Sequence, residues 1–356
     1  MSGALATALP TRRAEEWKYS DLSRALGDDG FGAEQAKAVV GGLPDGVEIF
    51  ALDEPNRPDW VKAHYGKLKQ NAVSAISLGL ARGGVALRVG KNKNIDTPVH
   101  LTFSGKGHVR ALLILEEGAS LTLLENGEGG ETRNIGFEIL LGANAELHHV
   151  RLAPKAAGVQ VEEVAMRLAQ GARYHAHYAS FGARLSRLEL DIALEGEGAE
   201  AHLSGVSVLG DESHADVTTR IVHAVGKTHS SQLFKKVAGG KARAVYQGKV
   251  TVAKNADGAD SRQTAKALLL STRAEADLKP ELEILAEDVK CAHGAAVGDL
   301  DADSLFYLRA RGLSESEARN ILLHAFLEDA FSGIARAELR NSVRGAVNAA
   351  LDEISP

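Results

Sequence analysis

Residues 118–124 read Gly118-Ala119-Ser120-Leu121-Thr122-Leu123-Leu124, and the same phrase returns three times. It recurs at Gly142-Ala143-Asn144-Ala145-Glu146-Leu147-His148, at Gly171-Ala172, and at Gly198-Ala199-Glu200-Ala201-His202-Leu203. The Gly-Ala pairs stand 24, 29 and 27 residues apart. Each introduces a short run of alternating or apolar character bounded by turn residues, which is a strand signal. A degenerate repeat with a period of roughly 20 to 50 residues points to a solenoid or stacked sheet. With strand-rich units the natural form is a parallel β-helix, in which apolar positions of one coil stack on the next and backbone bonds run between coils. A β-sandwich with Gly-rich turns carries a similar rhythm, so the rhythm by itself leaves both folds open.

Outward from this stretch the chain divides into three zones. Residues 81–300 continue the strand pattern: Val85-Ala86-Leu87-Arg88-Val89 and His100-Leu101-Thr102-Phe103 are further runs, and Asn126-Gly127 is the clearest candidate for a two-residue hairpin turn. Residues 1–80 read as helix with loops. Ala33–Val40 is helix-like, 41–58 is punctuated by Gly and Pro, and Trp60–Leu80 places Val61, Tyr65, Leu68, Ala72, Ile76 and Leu80 at spacings of three and four. Residues 301–356 return to helix. Asp301 can cap a helix carrying Leu305, Phe306 and Leu308 that Gly312 stops, and Ser314 with Glu317 forms a capping-box pattern. The next helix has an expected apolar face of Ala318, Ile321, Leu322, Ala325 and Phe326. A last helix over Ala335–Leu351 sets Arg336, Arg340 and Arg344 in a stripe, either a solvated face or a docking edge for an acidic partner.

The balance of 41 Lys+Arg against 47 Asp+Glu gives a net charge of −6, which argues against general attraction to nucleic acid or anionic lipid. A hydrophobic content of 44% with 25% charged residues is that of a folded soluble chain. The single cysteine, Cys291, excludes an intrachain disulfide and any all-cysteine metal site built from this chain alone. No apolar run is long enough to span a bilayer. The segment Met1–Trp17, an Ala/Leu patch broken by Pro10, Arg12 and Arg13, does not read as a secretory signal. A cytoplasmic setting is expected.

Several chemistries fail on spacing. Gly226-Lys227-Thr228 lacks the upstream glycine of a phosphate loop, since Ile221 stands there. Gly205-Val206-Ser207-Val208-Leu209 fails as a nucleophile elbow at its last position, and no H-E-x-x-H occurs. Among 13 histidines, His148 and His149 would face opposite sides of a strand, whereas His175 and His177 would share a face. That pair could hold a metal, but no carboxylate or cysteine matches its register, and packing histidines are the simpler reading.

The segment Glu287-Asp288-Val289-Lys290-Cys291-Ala292-His293-Gly294 is the sharpest chemical feature. On a strand, Cys291 and His293 leave the same face with Cα atoms about 6.5–7 Å apart. Thiolate with imidazole suits iron, zinc or copper, but two ligands leave a tetrahedral ion incomplete, so a second chain or sulfide must complete it. Other readings are a buried structural thiol and a cysteine–histidine nucleophile without an oxyanion stabiliser.

From Ala244-Val245-Tyr246-Gln247-Gly248 through Thr264, Leu268-Leu269-Leu270-Ser271 and the Cys-x-His-Gly segment to Ala318 and Phe326, the chain closely resembles the SufBD family of iron–sulfur cluster assembly scaffolds. Glu16-Trp17-Lys18-Tyr19-Ser20-Asp21-Leu22 resembles the family's N-terminal motif. The lone cysteine and the Cys-x-His-Gly arrangement look like the SufD branch rather than the SufB branch. Glu287-Asp288 stands where the family commonly has Asp-Asp, and Ala296 replaces the usual Thr.

The resemblance implies a mainly β fold, a right-handed parallel β-helix core (81–300) flanked by N-terminal (1–80) and C-terminal (301–356) helical regions. It implies a scaffold rather than an enzyme. It implies a SufB paralogue and the ATPase SufC as partners, the latter docking on the C-terminal region at Leu305, Phe306, Tyr307 and Arg311. It implies an indirect link to a cysteine desulfurase, self-pairing when the paralogue is absent, and a reduced flavin at the level of the complex. A transient iron–sulfur cluster would form at the subunit seam, with His293 matching the implicated histidine and Cys291 its neighbour. The competing expectations are a β-helix carbohydrate-active enzyme and an inert structural partner.

Overall fold

The computed structural model describes residues 9–32, 34–68 and 71–354. The Ala/Leu patch at Met1–Ala8, and the start of the helix expected from Ala33, lie outside the described residues.

Two nine-stranded sheets face each other. One runs in the order β1 (Lys37–Gly41), β4 (Val99–Ser104), β6 (Ser120–Gly127), β8 (Glu146–Ala153), β10 (Arg173–Ser180), β12 (Glu200–Leu209), β14 (His229–Ala238), β16 (Ala259–Leu269), β18 (Val289–Gly298). The other runs β2 (Val47–Ala51), β3 (Gly84–Val89), β5 (Gly107–Leu115), β7 (Arg133–Leu141), β9 (Ala156–Leu168), β11 (Ala183–Leu194), β13 (His214–His223), β15 (Arg243–Val252), β17 (Glu275–Ile284). From β3 to β18 every neighbouring pair is parallel, and the chain alternates between sheets, giving a parallel β-solenoid of about eight turns. The sandwich alternative is thereby excluded. Only β1 on β4 and β2 on β3 pair antiparallel.

The repeat has a backbone cause. Gly118, Asn144, Gly171 and Gly198 take left-handed φ values of 66, 55, 63 and 72° at equivalent turns, spaced 26, 27 and 27 residues. A Cβ on Gly171 would stand 2.4 Å from the Asn144 side-chain oxygen of the coil before it. The left-handed region favours glycine, or Asn, at these turns, although Lys227 takes it with φ 55° further along. The turn position in the second unit is Asn144, not Gly142, which evens the interval. Asn126-Gly127 makes no hairpin: it ends β6, whose neighbours β4 and β8 are both parallel to it.

Two further corrections concern the first zone. The stretch expected as helix over 33–40 contains strand β1, because Val39 and Val40 pair with Thr102 and Leu101 of β4. Tertiary pairing outweighs the modest helix propensity of an Ala- and Lys-containing stretch. The helix expected over 60–80 is two helices, α2 (Asp59–His64) and α3 (Ala72–Leu80). Between them Gly66 takes φ 72°, and the Gly66 and Leu68 amides donate to the Glu138 carboxylate at 2.7 and 3.1 Å. A buried strand carboxylate thus holds the break open.

The N-terminal motif forms a strap that includes α1 (Leu22–Leu26). The Trp17 ring lies under the Arg187 guanidinium at 4.0 Å, and Ser20 Oγ donates to Asp216 at 2.5 Å. At the other terminus, α4 (Ala302–Ala310), α5 (Glu315–Leu327) and α6 (Ala337–Ile354) follow the last strand. The Asp301 cap and the Ser314–Glu317 capping box are both present. The buried residues of α5 are Ala318, Leu323 and Leu327, with Ile321 exposed, and Leu323 and Leu327 join Val206, Val208 and Val237 on the outer side of the sheet. Two of the three stripe arginines are engaged within the chain: Arg336 donates to the Asp96 carbonyl and to Thr122, and Arg344 pairs with Glu328.

Candidate functional site

Strand β18 is the last rung of its sheet, and its inward-facing residues have no further coil above them. Register fixes which side chains these are. One inward column runs Leu121, Leu147, Tyr174, Ala201, Ser230, Ser261, Cys291. The adjacent one runs Leu123, His149, Ala176, Leu203, Gln232, Gln263, His293. Cys291 and His293 therefore leave the same face, as their spacing required, and that face is the lumen of the terminal coil. Ser261 and Gln263 just below are buried, whereas Cys291 is half-buried and His293 exposed. The difference is the missing ninth coil.

The lumen is not uniformly apolar: among Leu, Val and Phe the middle coils bury a charged cluster of Glu125, His149, Arg151 and Glu162, and the last coils are lined by Ser230, Gln232, Tyr246, Ser261 and Gln263. Gln232 Oε1 accepts from Thr219 at 2.6 Å and from the Tyr246 hydroxyl at 3.1 Å, and Gln263 Nε2 reaches the same hydroxyl at 2.8 Å. Gln263 Oε1 and Gln232 Nε2 are buried and have no hydrogen-bond partner. An unmet buried acceptor costs about 1–3 kcal/mol, so Gln263 is an expensive residue to keep beneath His293 unless something above it is bound. Sequence reading missed these glutamines and serines. Their signal was weak, because β16 alternates polar with polar and so does not reveal which phase points inward.

Cys291 Sγ is held as a thiol: burial raises its pKa, only partly offset by a hydrogen bond from the Ser261 backbone. Among the described residues no three His, Cys, Asp or Glu side chains are arranged to hold a metal ion. The pair is thus at most part of a ligand set. Glu287 and Asp288 hold the turn into β18, their amides each donating to Asp257 Oδ1 at 3.3 Å. Ala296 falls on the outer face opposite Lys266, exposed.

The residues expected to dock a partner lie together just past β18. No residue of α4 is buried; Phe306 and Tyr307 are 74% and 57% exposed. Arg311 donates to the Tyr307 hydroxyl at 3.0 Å. Leu305 is half-buried. Ile284, Leu285 and Val297, large and apolar, are also exposed at this end. His175 and His177 do share a face, but in the middle of the solenoid, far along the sheet from β18. No helix among the described residues is long and apolar enough to cross a membrane.

Comparison with known proteins agrees with this geometry. The family model for the SufBD core domain of the SUF iron–sulfur cluster assembly system matches residues 102–326. The iron–sulfur cluster assembly protein SufD of Escherichia coli is 28% identical over 95% of this chain and 88% of its own length. An iron–sulfur cluster assembly SufBD family protein of Synechocystis is 28% identical over 96% of this chain and 87% of its own. A chloroplastic Arabidopsis thaliana protein, ABCI7, is 29% identical over 72% of this chain and 58% of its own length.

Proposed function

This chain belongs to the SufBD family, and on that premise we propose that it is a SufD-type scaffold subunit, not an enzyme, in iron–sulfur cluster assembly. The observation that carries the reading is the terminal coil. Its lumen presents Cys291 and His293 over unmet polar groups, with both sheet edges β17 and β18 unpaired. Exposed strand edges are templates for another chain. A SufB paralogue seated on them adds the missing coil and the missing ligands, and the nascent cluster is assembled as cargo between the two. A second copy of this chain takes the same seat when the paralogue is absent.

The ATPase SufC docks on α4 through Leu305, Phe306, Tyr307 and Arg311, next in sequence to β18. Nucleotide-driven movement of α4 then pulls on the strand that carries the ligands, and a ligand set divided between chains opens to release its product. Sulfur reaches the seam from a cysteine desulfurase acting on the complex. No residue of this chain is assigned to the reduced flavin.

The test is the co-expressed complex purified anaerobically with His293→Ala, assayed for iron and acid-labile sulfide per complex. The account expects both to fall with complex yield unchanged, since His293 is exposed and supports no packing. Full cluster content in the variant would contradict it.

A further inference from the structure

A second polar feature lies on the outer face of the same sheet, away from the seam. His148, His175 and His202 are register partners on β8, β10 and β12. Their rings stack with centroids 4.9 and 5.1 Å apart and planes within 14°. The upper end is closed by Ser231 Oγ and Glu200, at 2.8 and 3.0 Å from His202. The next rung below His148 is Thr122, which is too small to continue the stack. There a cleft of about 540 Å3 opens between the ladder and the segment 333–339.

The lining selects among ligands. His177, one row along, is 1% exposed and lines the cleft; its Nδ1 meets Ser204 Oγ at 2.9 Å, and the Ala330 backbone lies within reach of the ring without a well-aligned bond to Nε2. His175 has no hydrogen bond among the described residues. A purely apolar ligand would leave the His175 nitrogens unmet. A metal ion is disfavoured, because nitrogen lone pairs of parallel stacked rings run side by side instead of converging. An anion is disfavoured too: Glu146 and Asp96 face the same space, and Arg336 is already committed to the Asp96 carbonyl and Thr122. Ile95, Ile334 and Leu339 supply apolar walls.

We propose that this cleft binds a small, uncharged, planar nitrogen heterocycle, which extends the histidine ladder past His148 and exchanges hydrogen bonds with the His175 imidazole. Burial pushes His175 and His177 down to about 4, so near neutrality each ring offers either a donor or an acceptor and repels no neutral ligand. The inference stands on the ladder and cleft alone and does not depend on the role assigned to β18.

The full chain, labelled with 15N and 13C at histidine, is titrated by NMR with adenine, indazole and quinazolin-4-one, and separately with benzoate and inorganic phosphate. At least one heterocycle is expected to shift the His175 and His177 ring signals with half-saturation at or below about 1 mM, in the range for so few heavy atoms. Thr122→Phe, which fills the missing rung, is expected to weaken binding at least about tenfold, and an unmoved His293 signal checks its fold. His175→Gln gives a second variant that leaves the rung empty and is expected to weaken binding less. No response to any heterocycle, a stronger response to benzoate or phosphate, or undiminished binding in folded Thr122→Phe would each overturn the proposal.

Discussion

The two ends of the solenoid are built on the same coil but finished differently. At the first coil, β1 and β2 reverse direction and pair antiparallel, and the lumen residues they cover, Val85, Leu87, Leu101 and Phe103, are 3% exposed or less. At the last coil nothing reverses. The lumen residues Cys291, His293 and Val297 stand open, and helix α4 leaves without covering them. An exposed edge is a liability that proteins commonly blunt, and here Pro280 in β17, opposite Gly248, and the edge charges Lys279, Glu281 and Lys290 are the devices, with no strand or helix laid over the edge among the described residues. One end is therefore finished within the chain, and the other is left open, as the proposed pairing with a second chain requires.

Substitutions at matched inward positions sharpen the contrast. Phe103→Ala at the closed end empties a fully buried site and is expected to cost about 3–5 kcal/mol in chemical denaturation, whereas Val297→Ala at the open end should cost less than about 1 kcal/mol. Equal losses would mean that the open end is packed by something within the chain.

A smaller effect of opposite sign is expected between the two ends. Lys236 is fully buried, its ammonium meeting Ser207 Oγ at 3.2 Å, and burial, partly offset by the Asp216 carboxylate, lowers its pKa to about 8. A lowered folded-state value means that the unfolded chain holds the proton more tightly. Stability from this group is thus least below about pH 8 and rises as pH climbs toward the unfolded value near 10.5. Lys236→Met should raise stability at pH 7 by about 1–3 kcal/mol, with most of the gain gone by pH 10.5. A destabilised variant at pH 7 would show instead that the amine is compensated.

The smallest stability effects belong to the docking helix. Phe306→Ser should change stability by less than about 0.5 kcal/mol, yet abolish co-purification of the ATPase. Retained co-purification would move the docking site off α4.

Much of the closed architecture was legible because its turns demand a left-handed residue, and Gly118, Gly171 and Gly198 announce that demand. Asn144 hid one unit, since asparagine meets the same need without advertising it. Strand β1 was illegible because Ala36, Lys37 and Ala38 favour helix locally and only β4 makes them a strand. At the open end Cys291 and His293 were readable from spacing, which fixes a shared face on any strand. Which face it is could not be read, because Asp260, Arg262, Thr264 and Lys266 outside are as polar as Ser261 and Gln263 inside. Nor could one cysteine and one histidine show that no coil lies above them; only register shows that.

The unequal ends can be measured directly by hydrogen–deuterium exchange of the chain alone and with the paralogous subunit. The account predicts that amides of 275–298 exchange readily alone and become protected in the complex, while those of β1 and β2 do not change. Unaltered exchange at 275–298, or protection that falls on β1 and β2 instead, would contradict it.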